Sequence, residues 1–427
     1  MKYRLSAGRI ALIVVCTAVV VILGVNVFSS PEKTIKWSFP HEYAVADGQF
    51  QRSMGVLLGP ALVDGNRVDT LLNGDEIFPA MLNAIRDAKK TVTFETYIYW
   101  SGDIGRQFAD ALAERARGGV KVHVLVDWVG SQKMDGKLLD EMKDAGVQIE
   151  KYHPLAWYTL DKLNNRTHRK LLVVDGRVGF TGGVGIADDW GGHAQDPDHW
   201  RDTHYRLEGP AVLQMQAAFV DNWTKVSGTT LHGEAYFPAT RAAGPYYAQL
   251  FKSSMDGGSE STHLMYLLSI AAAVKSIDLS MAYFVPDQVA TDALVEAMKR
   301  GVHVRIIVPG KHTDATLVRG ASRAKWGPIL QSGGEIYEYG PTMFHCKVLV
   351  VDALWTSVGS TNFDNRSFRL NDEANLNVLD AQFAQRQIAD FERDLKNSRR
   401  VTYEQWSTRP LGEKAWERFL ALFGAQL

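Results

Sequence analysis

One short pattern occurs twice in this 427-residue chain, and that repetition limits the possible fold more than any other feature. THRKLLVVDGRVGFTGG (167–183) and FHCKVLVVDALWTSVGS (344–360) each carry a histidine, a lysine two residues on, an aspartate after four more residues and a small-residue turn. His168, Lys170 and Asp175 lie 177 positions before His345, Lys347 and Asp352. Residues two apart on an extended strand share a face, so each histidine and lysine project together while Cys346 points away. The apolar run before each aspartate continues into a buried strand. Composition alone gives well under one such match per chain, so two in register are not an accident.

The duplication extends beyond the motifs. Apolar spacing predicts helices over 75–88, 104–118 and 138–145, with β-branched and aromatic strands at 91–100 and 119–127. The second half runs through the same series: a helix over 263–275, a strand over 276–286, a helix over 288–300 and a strand over 301–309. GVHVRIIVP there mirrors GVKVHVLVD (119–127). The fold class is therefore α/β, with two duplicated α-β-α domains, each a mixed sheet covered by helices. The expected divisions are 1–9, an apolar span over 10–28, a juxtamembrane linker over 29–68, a first domain over 69–235 and a second over 236–427 with a helical tail. The tail carries Trp416, Phe419, Leu420, Leu422 and Phe423 on roughly one side, which suits either a helix packed on the body or one touching a membrane.

Two cysteines, Cys16 and Cys346, exclude a disulfide framework. A net charge of −1 gives no basic field for nucleic acid. Lys2, Arg4 and Arg9 precede the uncharged segment 10–28, which is nearly long enough for one transmembrane helix. Val27, Phe28 and Ser29 suit a signal-peptide cleavage site poorly, so an uncleaved anchor is expected. The positive flank places the N-terminus in the cytoplasm and the body outside it, in the periplasm for a bacterial inner-membrane protein.

Two histidine–lysine sites can divide one reaction at phosphorus. One neutral imidazole attacks, and the other, protonated, delivers a proton to the leaving alkoxide. Lys170 and Lys347 would hold the non-bridging oxygens, with Asn362 and backbone amides at Gly182–Gly183 and Gly359–Ser360 as further donors. Nothing in the pattern calls for a metal or another cofactor. Each histidine also needs a group that fixes its tautomer. Asp202 and Glu373 stand at matching places in the two halves, which suggests the dyads His168–Asp202 and His345–Glu373; the alternative is that both acids merely cap strands. Asp175 and Asp352 complete the catalytic motifs but read as structural, tying the turn or anchoring the lysine. Glu95 is an acid in an otherwise apolar strand and is expected to line the cleft, with Met281 or Ala282 at the matching place.

These motifs, with FETYIYWSGDIG, WRDTHYRLEGPAV and GSTNFDNRSFRLNDEANL, resemble the phospholipase D superfamily and, more narrowly, bacterial cardiolipin synthases of that type, over residues 70–427. The resemblance implies ping-pong chemistry through a phosphohistidine, with His168 as nucleophile, His345 as acid and base, and the lysines and Asn362 on the phosphate. It implies a phospholipid substrate, two phosphatidylglycerols giving cardiolipin and glycerol, and a shared active-site cleft. The family pattern usually has asparagine where this chain has Gly185, and some relatives carry two membrane segments. Transfer to water, as in a phospholipase D hydrolase, uses the same residues and stays open; a nuclease or a lapsed binding module fits less well. The apolar loop 154–160 is a candidate acyl guide. Lys311, Arg319, Arg323 and Lys325 are candidate headgroup contacts.

Overall fold

The computed structural model describes residues 35–154, 164–254 and 262–423, with a few isolated positions before 35. Most of the segment 10–28 and of the loop 154–160 lies outside the described residues. Among the described residues no helix is long and apolar enough to cross a membrane.

Both halves build the expected elements. In the first, helices Asn73–Asp87, Asp103–Arg117 and Gly136–Asp144 alternate with strands Thr91–Thr96, Lys121–Asp127 and Gln148–Tyr152. In the second, Thr262–Ala271 and Gln288–Lys299 alternate with Ser276–Met281, His303–Pro309 and Glu335–Tyr339. Parallel pairs such as Thr91–Thr96 with Lys121–Asp127 follow from the helical crossovers, which cover the faces of the sheet. The motif strands Leu171–Val174 and Lys347–Val351 are buried throughout, as an all-apolar run in a covered sheet requires. Charged sequence after 385 hides one edge strand, Ser398–Val401, antiparallel to Glu335–Tyr339.

The two half-sheets join into one 16-stranded sheet. At the seam, Val63–Leu72 pairs antiparallel with Thr203–Glu208 on one side and Tyr246–Ser253 on the other, and Tyr246–Ser253 in turn pairs with Asn371–Leu379. A shared core lies over this seam, with Val68, Leu171, Tyr205 and Leu207 from one half against Leu250, Val350, Leu376 and Phe383 from the other.

The stretch read as a linker over 29–68 contains a helix, Gly48–Leu58, and the start of the central strand. Asp47 caps the helix by accepting from the Gln49 amide. Phe50, Met54 and Leu58 are buried in the core of the second half, where Phe50 meets Trp355 edge-on with centroids 5.0 Å apart. Their spacing of four is helical, but a short apolar stripe among polar residues is a weak sequence signal. Burial of such a side chain contributes about 1.5–3 kcal/mol, so this segment fastens the second half rather than merely connecting.

Candidate active site

The motif strands end in matched turns. Asp175 and Asp352 adopt φ of 53° and 52°, a left-handed conformation that aspartate tolerates better than most residues. The Asp175 carboxylate accepts from the amides of Lys89, Lys90 and Thr91 at 2.9, 2.7 and 2.8 Å. Asp352 does the same with Val274, Lys275 and Ser276 at 2.9, 2.6 and 2.9 Å. Neither lines the cavity described below, so the motif aspartates are turn anchors and not catalytic groups.

At the other end of each strand the chain crosses to the opposite half. Arg166–Thr167 pairs in parallel with Asn371 and Asp372, and the His168 amide donates to the Asp372 carbonyl at 2.9 Å. In the mirror arrangement Phe344 bridges Arg201, and the His345 amide donates to the Arg201 carbonyl at 2.8 Å. This exchange corrects the expected dyads. His168 Nδ1 lies 3.0 Å from both carboxylate oxygens of Glu373, and His345 Nδ1 lies 2.8 Å from Asp202 Oδ2. The pairs are His168–Glu373 and His345–Asp202, each made across the seam. A duplicated sequence holds two equivalent acids and cannot show whether a histidine meets its own or its partner's; the seam decides.

The acids are held in turn. The Ser360 hydroxyl donates to Glu373 at 2.5 Å and the Asn371 carboxamide at 3.3 Å. Trp190 Nε1 donates to Asp202 at 2.9 Å and the Thr203 amide at 2.8 Å. Gly183, matching Ser360, has no room for a side chain: a Cβ there would come within 2.2 Å of Asp202 Oδ1. The amides of Gly183 and Ser360, expected to face phosphate, donate instead to the Thr203 and Ala374 carbonyls of neighbouring strands.

Both histidines line one cavity of about 710 Å³ together with Lys170 and Asn362. Lys170 Nζ and Lys347 Nζ donate to the carbonyls of His168 and His345 at 3.0 and 2.7 Å. The wall also includes groups the sequence reading left unassigned: Tyr97, Arg166, Trp190, Trp200, Tyr283 and Arg366 among them. Trp200 and Asn371 each stand two residues before a dyad acid, the one signal that would have found them. Strands expected to run to 100 and 286 stop at Thr96 and Met281, which frees Tyr97, Ile98 and Tyr283 to form wall.

Glu95 is buried behind the motif rather than in the cavity, accepting from Thr167 Oγ1 at 2.5 Å and Asn222 Nδ2 at 2.8 Å. Its counterpart is Ser280, since Glu95 stands opposite Leu171 and Ser280 opposite Val348. Gly185 is explained by its surroundings: a Cβ would lie 2.7 Å from Ile98 Cβ and 3.2 Å from the Trp190 ring. Arg319 is held by Glu338 at 2.5 Å and Arg323 by Glu417 at 3.2 Å, so these two expected headgroup contacts are committed within the protein.

Burial lowers His168 to about 4, with Glu373 opposing the shift and Lys170 adding to it. His345 is lowered by burial and by Lys347, whose Nζ stands 3.0 and 3.1 Å from its ring nitrogens. Burial also brings Lys170 down to about 7 and lowers Lys347. Burial opposes charge on Glu373, but His168, Lys170 and Ser360 outweigh it and keep the carboxyl below its ordinary value. At neutral pH His168 is a neutral imidazole with Nδ1–H directed at Glu373, leaving Nε2 as the reactive atom. Two imidazoles oriented by carboxylates on one cavity, flanked by lysines, define a phosphoryl-transfer catalyst of the phospholipase D type.

Comparison with known proteins agrees. The family model described as "Cardiolipin synthase, PLD-like domain" matches residues 81–190 and 266–395. The chain is 36% identical over 351 residues to cardiolipin synthase 2 of Bacillus cereus, covering 82% of this chain and 68% of that one. It is 35% identical to the major cardiolipin synthase of Bacillus subtilis, covering 82% and 73%. A crystal structure of phosphatidylserine synthase from Haemophilus influenzae superposes with a TM-score of 0.68 at 13% identity, over 89% of this chain and all of that one, a likeness of fold alone. This chain belongs to the cardiolipin synthase family with phospholipase D-like domains, and is a phosphatidyltransferase of that type.

Proposed function

We propose that the protein joins two phosphatidylglycerol molecules into cardiolipin, releasing glycerol, by way of a phosphatidyl-histidine. The observation that carries this reading is the pair of motif histidines on one cavity, each oriented by a carboxylate of the opposite half. His168 Nε2 attacks the donor phosphorus and forms a P–N bond as the P–O bond to glycerol breaks, while His345 gives the departing alkoxide its proton. His345, now neutral, takes a proton from a hydroxyl of the second phosphatidylglycerol. That oxygen attacks phosphorus, and His168 leaves. The lysines and Asn362 balance charge on the non-bridging oxygens.

A lipid surface is part of this reading. The tail helix Leu411–Ala421 exposes Trp416 and Phe419, and Leu420 beneath them packs with Val318, a residue of the cavity wall. An apolar stripe next to the cavity mouth suits contact with the bilayer. The segment 10–28 would serve as the anchor, with the body outside the cytoplasm; protease protection of the body in intact spheroplasts would overturn that orientation. The chemistry is tested by incubating the purified protein with phosphatidylglycerol in mixed micelles. Cardiolipin with equimolar glycerol is expected; phosphatidic acid alone would mean transfer to water and overturn the synthase reading.

A further inference from the structure

Two parallel strands of the second half, Ser276–Met281 and His303–Pro309, end side by side, where a sheet covered by helices offers its loops to a ligand. Tyr283 follows the first strand and Asp314 the second, and both line the cavity. The Tyr283 hydroxyl donates to Asp314 Oδ2 at 2.6 Å. Its ring stands beside His345, with centroids 6.4 Å apart and planes at 87°. Asn362 is held alongside, because the Phe363 amide donates to the Tyr283 carbonyl at 3.0 Å and Phe363–Asp364 pairs in parallel with Phe284–Val285.

This part of the wall presents acceptors. Among the described residues, the only hydrogen bond to the exposed Asp314 carboxylate comes from Tyr283. Asn362 is 4% exposed, and its Oδ1 has no hydrogen-bond partner among them. A buried carboxamide oxygen in that state calls for a donor. The phosphate and acyl esters of a phospholipid can only accept, whereas the hydroxyls of a glycerol headgroup donate. Burial and Lys347 lower His345, and the Asp202 and Asp314 carboxylates oppose them, so Asp314 lies within electrostatic reach of that imidazole. A cationic headgroup would also satisfy a carboxylate, but Lys133, Arg166 and Lys170 line the same cavity and favour an uncharged donor.

Resting on the functional reading above, we propose that Asp314, held by Tyr283 and joined by Asn362, binds the glycerol headgroup through the hydroxyl adjacent to the reacting oxygen. In that reading His345 serves the reacting oxygen of the headgroup, so the acceptors lie where the neighbouring hydroxyl falls. The His345 end is thus a vicinal-diol site. It holds the departing glycerol first and the headgroup of the incoming phosphatidylglycerol next, and it selects polyol headgroups over simple alcohols.

The test lets the phosphatidyl-enzyme choose between two soluble acceptors. Full-length protein acts on phosphatidylglycerol micelles with 1,2-propanediol and 1-propanol present together, which differ by the adjacent hydroxyl alone. Both products leave one intermediate, so their ratio is insensitive to donor binding and to the fraction of folded protein. The wild type should prefer the diol. Asp314→Asn should lower that preference about tenfold, the worth of one hydrogen bond to a charged group. Tyr283→Phe, which frees the carboxylate, should show a smaller loss in the same direction, and Asp314→Glu should recover part of the preference. An unchanged ratio in Asp314→Asn, with all rates falling together, would overturn the diol site and leave phosphatidyl transfer intact. Loss of preference for ethanolamine but not for the diol would make Asp314 a cation site and overturn it too. A wild-type enzyme that yields phosphatidic acid alone would overturn both readings.

Discussion

The surroundings of His168 and His345 descend from one duplicated template, yet they differ at nearly every matched position outside the motif. His168 is oriented by Glu373, which Ser360 and Asn371 fix, and lies close to Arg166; His345 is oriented by Asp202, which Trp190 fixes, between two tryptophans and a tyrosine. Asn362 contributes to the cavity where its counterpart Gly185 has no space for a side chain. The residue inside the motif also differs. Arg169 is fully buried and donates to the Ala218 and Ser253 carbonyls at 2.8 and 3.1 Å, whereas Cys346 is a small thiol on the core side. Duplication supplied two reactive imidazoles, and the walls assigned them different tasks. A symmetric pair would give neither histidine a reason to attack first.

The largest test of this asymmetry removes one imidazole at a time. His168→Asn and His345→Asn should each abolish turnover, but only His345→Asn should leave a phosphatidyl group on the remaining histidine, detectable by intact-protein mass spectrometry after acid-free quenching. A phosphatidyl group trapped in His168→Asn instead would reverse the assignment. Glu373→Gln should cost roughly 10²- to 10⁴-fold in kcat by spoiling the tautomer of His168. In the same variant the downfield Nδ1 proton of His168 should vanish from the NMR spectrum while that of His345 persists. Loss of the His345 signal would restore the pairing within each half.

Acidity separates the ends next. The value of kcat/KM should rise out of acid as His168, lowered to about 4, gives up its proton, and fall as pH passes about 7 and Lys170 loses its charge. Lys170→Arg should move the alkaline limb upward even if the maximum is lower. Stability has its own sign. The folded value of His168 lies below the ordinary 6.5, so the unfolded chain binds more protons between the two. His123 and His204, lowered by burial to about 4 and about 3, act the same way. Their contribution is present above 6.5, and the melting temperature should drop as pH falls from there toward 4.

Smaller effects probe the positions that carry no chemistry. Asp175→Asn and Asp352→Asn retain a side chain that tolerates positive φ but weaken three amide contacts, so each should cost about 1–3 kcal/mol in denaturant unfolding with little change in kcat. Gly185→Asn should lose about 1–3 kcal/mol by overpacking against Ile98, and pairing it with Ile98→Ala should cost less than the two single changes together.

Much of this molecule was legible before any coordinates. Helices and strands followed from spacing, because a covered sheet with βα crossovers demands near-continuous apolar strands and one-sided helices. The motif histidines and lysines followed from their repetition. What escaped notice was non-local. The helix Gly48–Leu58 is short and its apolar stripe fits a partner some 200 residues on, so nothing nearby in sequence marks it as core. Arg166 and Arg366 are 200 positions apart and line one cavity because the seam brings Asn164 to the second half.

By itself the sequence determined the fold class, the duplication and the reacting side chains, since those depend on local periodicity and on residue chemistry. Tertiary structure alone decided which acid serves which imidazole, that Glu95 sits behind the cavity, and that Trp190, Trp200 and Tyr283 surround His345. The physical reason is the exchange across the seam, where Arg166–Thr167 pairs with Asn371 and Asp372 and Phe344 bridges Arg201, so that each half completes the site of the other.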